Sequence, residues 1–175
     1  GPEVTRACLE CHPEAAGEVM GTAHWRWLGD EVDAPGTGAP MAVGKRNLIN
    51  NFCIGVQGNE ASCTRCHAGY GWEDDGFDFT EESAVDCLAC HDRSGQYLKG
   101  KGGWPREGVD LLSAARSVGY PLRTNCGSCH HYGGGGLGVK HGDLDSTLDN
   151  PHGDDDVHMG REGMLCIDCH GGAGH

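Results

Sequence analysis

Apolar positions along this chain seldom recur at a period that would define a long helix or strand. The clearest helical stretch is 109–118 (VDLLSAARSV), where Val109, Leu112 and Ala115 or Arg116 fall at helical spacing. Gly119 follows as a C-terminal cap and Pro121 as a stop. Thr80 is placed to cap another helix, with Glu81 and Glu82 in its first turn, that runs into residues 87–91. A further helix is expected to begin near Pro13 and Glu14 and to end before His24. Residues 29–45, 68–79 and 133–156 read as loops, and no alternating run is long enough for a sheet. The pattern predicts mostly short α-helices and irregular loops, with little or no β-sheet, in a single domain over residues 1–175.

The chemistry lies in a motif, not in the hydropathy pattern. Cys-x-x-Cys-His occurs five times: Cys8/Cys11/His12, Cys63/Cys66/His67, Cys87/Cys90/His91, Cys126/Cys129/His130 and Cys166/Cys169/His170. A Cys-x-x-Cys pair alone also fits zinc ribbons and thioredoxin-like sites. Zinc sites usually merge two such pairs and do not require a histidine after each, and disulfide scaffolds follow no such rule. With a histidine following every pair, the motif reads as five c-type haem attachment sites. The two thiols form thioethers to the porphyrin, and the adjacent histidine is the proximal iron ligand. The intervals between these histidines (12 to 67, 67 to 91, 91 to 130, 130 to 170) are unequal, so the chain is not a solenoid of fixed period.

Composition changes meaning once five haems are expected. An apolar fraction of 37 % with 31 glycines is poor material for a core that must offset chain entropy. Five large, flat, mostly apolar porphyrins would supply that core, with the glycines where backbone nears a ring or turns sharply. The fold class is thus short helices and loops wrapped around a stack of five haems, and the apoprotein is expected to be unfolded. The formal net charge of -13 argues against nucleic acid and anionic membranes as partners. Other cytochromes and redox proteins with basic surfaces fit better. No stretch approaches the roughly 20 apolar residues of a transmembrane helix. Because c-type haem is attached outside the cytoplasmic membrane, the chain is expected to be periplasmic or extracellular, as a mature form from which the export signal was removed.

Six histidines lie outside the motifs: His24, His131, His141, His152, His158 and His175. Between residues 68 and 129 the one histidine, His91, is already a proximal ligand. If the second and third irons are six-coordinate, their distal ligands come from near the N-terminus, from the C-terminal third or from another chain. Each extra histidine also has an ordinary reading as an exposed loop residue.

The stretches "TAHWRW", "KRNLINNFCIGVQGNEASCTRCHAGYGW", "VDCLACHDRSGQYLKGKGGW", "NCGSCH", "VKHGDLD" and "DVHM" resemble the N-terminal part of the octahaem cytochromes of the tetrathionate-reductase family. The resemblance runs through essentially the whole chain. It implies His24, His141, His158 and His175 as distal ligands, with Lys140 on the second haem, that of His67. Neighbouring side chains of an extended loop point opposite ways, so Lys140 and His141 can serve different irons. His131, directly after a proximal histidine, is an alternative for a neighbouring haem. Cys53 matches a cysteine that the family places near the second haem; a small buried residue and an intermolecular disulfide are its other readings. The run at 153–156 (GDDD) reads as a solvated loop, with calcium binding as the alternative. The family carries eight haems, whereas this chain ends just past the fifth motif, which points to a shortened pentahaem branch or to part of a longer chain.

Two functions follow. Haems with both axial positions filled suit electron transfer along a stack, by a carrier or by copies joined head to tail into a filament. A displaceable ligand such as Lys140, with Cys53 and Asp143 nearby, suits reduction of small sulfur or nitrogen oxyanions. A third, lesser reading is a haem-delivering or structural partner in a larger complex. Electron transfer is the expectation.

Overall fold

The computed structural model describes residues 1–131, 133 and 136–171. Its secondary structure is short: α1 (Pro2–Leu9), α2 (Ala15–Met20), α3 (Ala23–Arg26), α4 (Glu60–Cys63), α5 (Cys87–His91), α6 (Leu111–Arg116) and α7 (Arg123–His130). Two-residue strands β1 (Glu31–Val32) and β2 (Met41–Ala42) form one antiparallel ribbon, with Glu31 opposite Ala42 and Val32 opposite Met41. The expected fold class of short helices and irregular loops with little sheet is what is observed.

Several boundaries differ from the sequence pattern for identifiable reasons. The helix expected from Thr80 is a 3-10 turn, Glu82–Ala84, whose cap is the Glu81 side chain accepting from the Ser83 amide. Thr80 instead donates to Asp78. The helix of the third motif is separate and starts at its own cap, Asp86, which accepts from the Ala89 amide. α6 is capped by Asp110 and ends at Ser117. Gly119 is therefore not its cap; its amide donates to the His91 carbonyl and its own carbonyl faces His91 Nδ1 at 2.9 Å. Helix α7 carries too few apolar residues to be visible as periodic pattern, and α1 spans only eight residues.

The core consists of two small clusters. In one, Ala16, Trp25, Ala84 and Val85 are packed by Leu9, Val19 and Met20. In the other, Trp27, Val56 and Trp72 meet the motif cysteines Cys63 and Cys66, and Phe77 and Phe79 join both clusters. Helix α1 docks through Thr5, fully buried, whose hydroxyl donates to the Val85 carbonyl at 2.6 Å. Trp27 makes the centre possible: at φ 52 it closes α3 in the left-handed region, an unusual conformation for a bulky residue. The chain thus turns so that Trp25 and Trp27 both reach His67, with ring centroids at 5.0 and 5.5 Å. Many large apolar side chains stay at the surface, among them Ile49, Phe52, Ile54, Leu98 and Leu137.

Candidate functional site

Spacing explains the motif geometry. Residues i, i+3 and i+4 share one face of a helical turn, so a helix brings both thiols and the imidazole to the same side. Motifs three and four lie within α5 and α7. In motif one, the Cys11 and His12 amides both donate to the Cys8 carbonyl, at 3.1 and 3.0 Å. In motif five, the Cys169 and His170 amides donate to the Cys166 carbonyl, at 3.3 and 2.9 Å. Motif two is different. After α4 the backbone tightens into a 3-10 turn, Thr64–Cys66, and His67 is extended (φ -67, ψ 143).

The motif histidines divide in the same way. His91 Nδ1 lies 2.9 Å from the Gly119 carbonyl, and His130 Nδ1 lies 2.5 Å from that of Gly142. A carbonyl on Nδ1 fixes the tautomer that presents Nε2 to a metal. His67 is reversed: Nε2 meets the Trp25 carbonyl at 2.7 Å, and the buried Nδ1 has no hydrogen-bond partner. Its ring sits among Trp25, Trp27, Trp72, Phe77 and Phe79. Burial there pushes its pKa down to about 3, the Trp25 carbonyl opposing, so the imidazole is neutral, as a metal ligand must be.

Thiols of different motifs meet in pairs. Cys66 lies close enough to Cys129 to shift its titration, as Cys166 does to Cys126 and Cys8 to Cys87. In the first pair the neighbouring Cys129 thiol is the main cause that brings Cys66 down to about 4, with Lys140 and Lys45 adding to it, and Cys129 is pushed up in turn. Burial pushes Cys87 up to about 11 and Cys126 up to about 12. None of the eleven cysteines forms a disulfide. A zinc ribbon needs four ligands around one point, yet among the described residues no group of three or more His, Cys, Asp or Glu side chains converges in that way. The same holds for a calcium site at 153–156. Five Cys-x-x-Cys pairs of free thiols, each pair followed by a histidine, with an unpartnered buried imidazole nitrogen at motif two, fit the donor set of covalent haem.

Lys140 lies at motif two. Its ammonium donates to Cys66 Sγ at 3.1 Å and to the Cys129 carbonyl at 2.7 Å, and Asp143 Oδ1 stands 4.0 Å away. The other Asp143 oxygen accepts the Val139 and Lys140 amides, which shapes the loop that delivers the lysine. Gly133 leaves the space, since a Cβ there would collide with Lys140 Nζ. A cavity of about 250 Å³ opens beside these groups, lined by Lys45, Asn50, Cys63, Cys66, Lys140 and His141. Lys45, which sequence reasoning missed, stacks over Trp27 at 4.0 Å; burial, then Lys140, lowers its pKa.

The other sequence-predicted ligands are more scattered. His24 stands edge-on to His130 at 6.1 Å, and its pKa is lowered by desolvation and then by His130 and His170. His141 Nε2 meets the Ile49 carbonyl at 2.9 Å. His158 is exposed on a π-helical turn, Val157–Arg161. His175 lies outside the described residues. His152 is exposed beside Asp154, an ordinary loop histidine. His131 has a buried, unpartnered Nδ1 and packs on Gly127 of α7. Cys53 is exposed rather than buried, at φ 59 in a turn held by Asn50. No helix among the described residues is long and apolar enough to cross a membrane.

No family model matches the chain. It is 23 % identical over 224 residues to an uncharacterized protein of Archaeoglobus fulgidus, covering 99 % of this chain and 74 % of that one. The crystal structure of an octaheme cytochrome c from Shewanella oneidensis superposes on the whole chain with a TM-score of 0.86 and 46 % sequence identity. The chain spans 39 % of the length of that cytochrome. Five Cys-x-x-Cys-His turns, thiols juxtaposed between motifs and this agreement in fold and sequence lead to one assignment: the chain is a relative of the multihaem c-type cytochromes.

Proposed function

We propose that this chain is an electron-transfer cytochrome, one domain over residues 1–175 carrying five covalent haems on its five motifs. The observation that carries the reading is the meeting of thiols from different motifs: Cys8 with Cys87, Cys66 with Cys129, and Cys126 with Cys166. Attachment points that lie near one another hold their porphyrins close, and close haems pass electrons readily. The haem supplies the one-electron chemistry; the polypeptide sets spacing, axial ligands and burial, which tune potential. His12, His67, His91, His130 and His170 would be the proximal ligands. His24, His141, His158, His175 and Lys140 would be the distal ones, with Lys140 on the haem of His67. The location would be periplasmic or extracellular, with basic redox proteins as partners. An exposed histidine left outside this ligand set, His152, supports, as a finer form of this reading, head-to-tail assembly of copies into a filament.

A second reading is favoured by a specific feature, the cavity beside Cys66 that Lys45 and Lys140 both line. Two lysines there suit a small oxyanion, and Lys140 as a displaceable ligand would make that haem the site of its reduction. Carbon monoxide binding to the reduced protein, with nitrite and tetrathionate turnover, separates the two. Near inertness to all three, together with fast electron exchange with mediators, is expected. One haem binding carbon monoxide, with turnover on the order of 1 per second or more, would overturn the electron-transfer reading.

A further inference from the structure

A buried charge cluster joins motifs two and three. Lys99 Nζ and Asp86 Oδ2 are 2.6 Å apart, their side chains 7 % and 0 % exposed. The ammonium has three protons, and three acceptors surround it: Asp86, the His67 carbonyl at 2.7 Å and the Gly69 carbonyl at 3.1 Å. Asp86 Oδ1 accepts the Tyr70 hydroxyl at 2.9 Å and, as the cap of α5, the Ala89 amide at 3.2 Å. Its other oxygen also accepts the Tyr97 hydroxyl at 2.9 Å. Backbone bridges at Gly69 with Val85 and at Lys99 with Pro105 brace the cluster.

A buried ion pair adds little net stability, because desolvation of both charges offsets their attraction. This pair is fully hydrogen-bonded and spans two functional segments. At one end it grips the carbonyl of the proximal histidine of motif two, whose imidazole is held in the aromatic box. At the other end it caps the helix that carries Cys87, Cys90 and His91. Burial also means that each charge is weakly screened and is felt nearby.

We propose that the Lys99–Asp86 pair positions the second and third haem attachments against each other and balances the charge that both haems sense. The proposal rests on the reading that both motifs carry haem. Lys99 and Asp86 are positioning residues: neither is placed on an iron. Removing one charge exposes the other. A positive charge favours the ferrous state and a negative charge the ferric state, so the two single substitutions must act in opposite directions.

The test is spectroelectrochemical titration of the mature holoprotein. Asp86→Asn is expected to raise the potential of at least one haem and Lys99→Met to lower it. The double variant, which buries no unpaired charge, should keep the wild-type haem content and return the potentials toward wild type. Lys99→Arg keeps the charge and should shift them least. Tyr97→Phe, which removes one donor from Asp86 at a partly buried position, should fold and shift potential in the same direction as Lys99→Met. Shifts of the same sign in both single variants would overturn the proposal. So would wild-type potentials in both, or, should neither mature, wild-type potentials in Tyr97→Phe. Mapping of thioether links on the wild type reads the parent assignment separately. An unmodified second or third motif would sink both readings, whereas loaded motifs with no opposed shifts would sink this one alone.

Discussion

Lys140 is the residue on which the two functional readings part. Its ammonium is nearly buried between a thiol, a carbonyl and Asp143. A lysine must lose its proton to ligate iron, and the charge of a bound metal favours that loss. Lys140→Ala is expected to abolish one low-spin EPR signal distinct from those of bis-histidine haems and to open one iron to carbon monoxide. An unchanged spectrum would remove Lys140 from the ligand set. Trp25 has a structural role at the same site: it is buried to 1 % exposure, its indole donates to the Phe79 carbonyl at 2.9 Å, and it packs on His67. Trp25→Ala should cost about 3–5 kcal/mol in denaturant unfolding of the holoprotein. At this scale the motif residues were legible because their chemistry is local, one helical turn each. Lys140 was reached only through resemblance. Lys45, Lys99 and Asp86 were not legible, because their meaning depends on partners distant in sequence, and a lone lysine or aspartate reads as a solvated charge. The aromatic box around His67 escaped for the same reason, since its rings come from positions 25, 27, 72, 77 and 79.

Helices and loops show why so little of the element map could be read in advance. The described helices run four to eight residues, too short for a 3.6-residue period to register or for propensity to fix their ends. What fixes them is capping and tertiary bonding, as with Asp86 on α5 and with Asn125, which accepts from the Leu122 amide and donates to the Asp92 carbonyl, tying α7 to the end of α5. The class of fold was legible all the same, because absence of periodicity together with five haem motifs allows little else. The loop at 100–103 illustrates the tight approach of backbones. Gly103 has φ 77, and a Cβ there would collide with the Gly69 carbonyl, whereas Gly95, at φ 70, has nothing within 4 Å of that position. Gly95→Ala should therefore cost about 1–2 kcal/mol of left-handed strain, and Gly103→Ala clearly more, because Gly69 adjoins the Lys99 contact. Equal melting temperatures for the two variants would mean that this close approach is not maintained in solution.

Over the whole molecule, charge and haem density decide behaviour. A net charge of -13 sets up a field that steers basic partners and is screened by salt. Electron exchange with a basic soluble cytochrome should slow steeply as ionic strength rises from about 0.01 to 1 M, a range over which the Debye length falls from about 30 to 3 Å. A rate independent of salt would point to an uncharged docking face. The small aromatic core and the many exposed apolar side chains suit a protein built around prosthetic groups more than one built on side-chain packing. That view stands or falls on haem stoichiometry. A pyridine haemochrome assay on the mature protein, checked by intact mass against the 18.5 kDa polypeptide, is expected to return one haem for each Cys-x-x-Cys-His motif, five per chain. A reproducible count of four or fewer in fully matured protein would contradict the account.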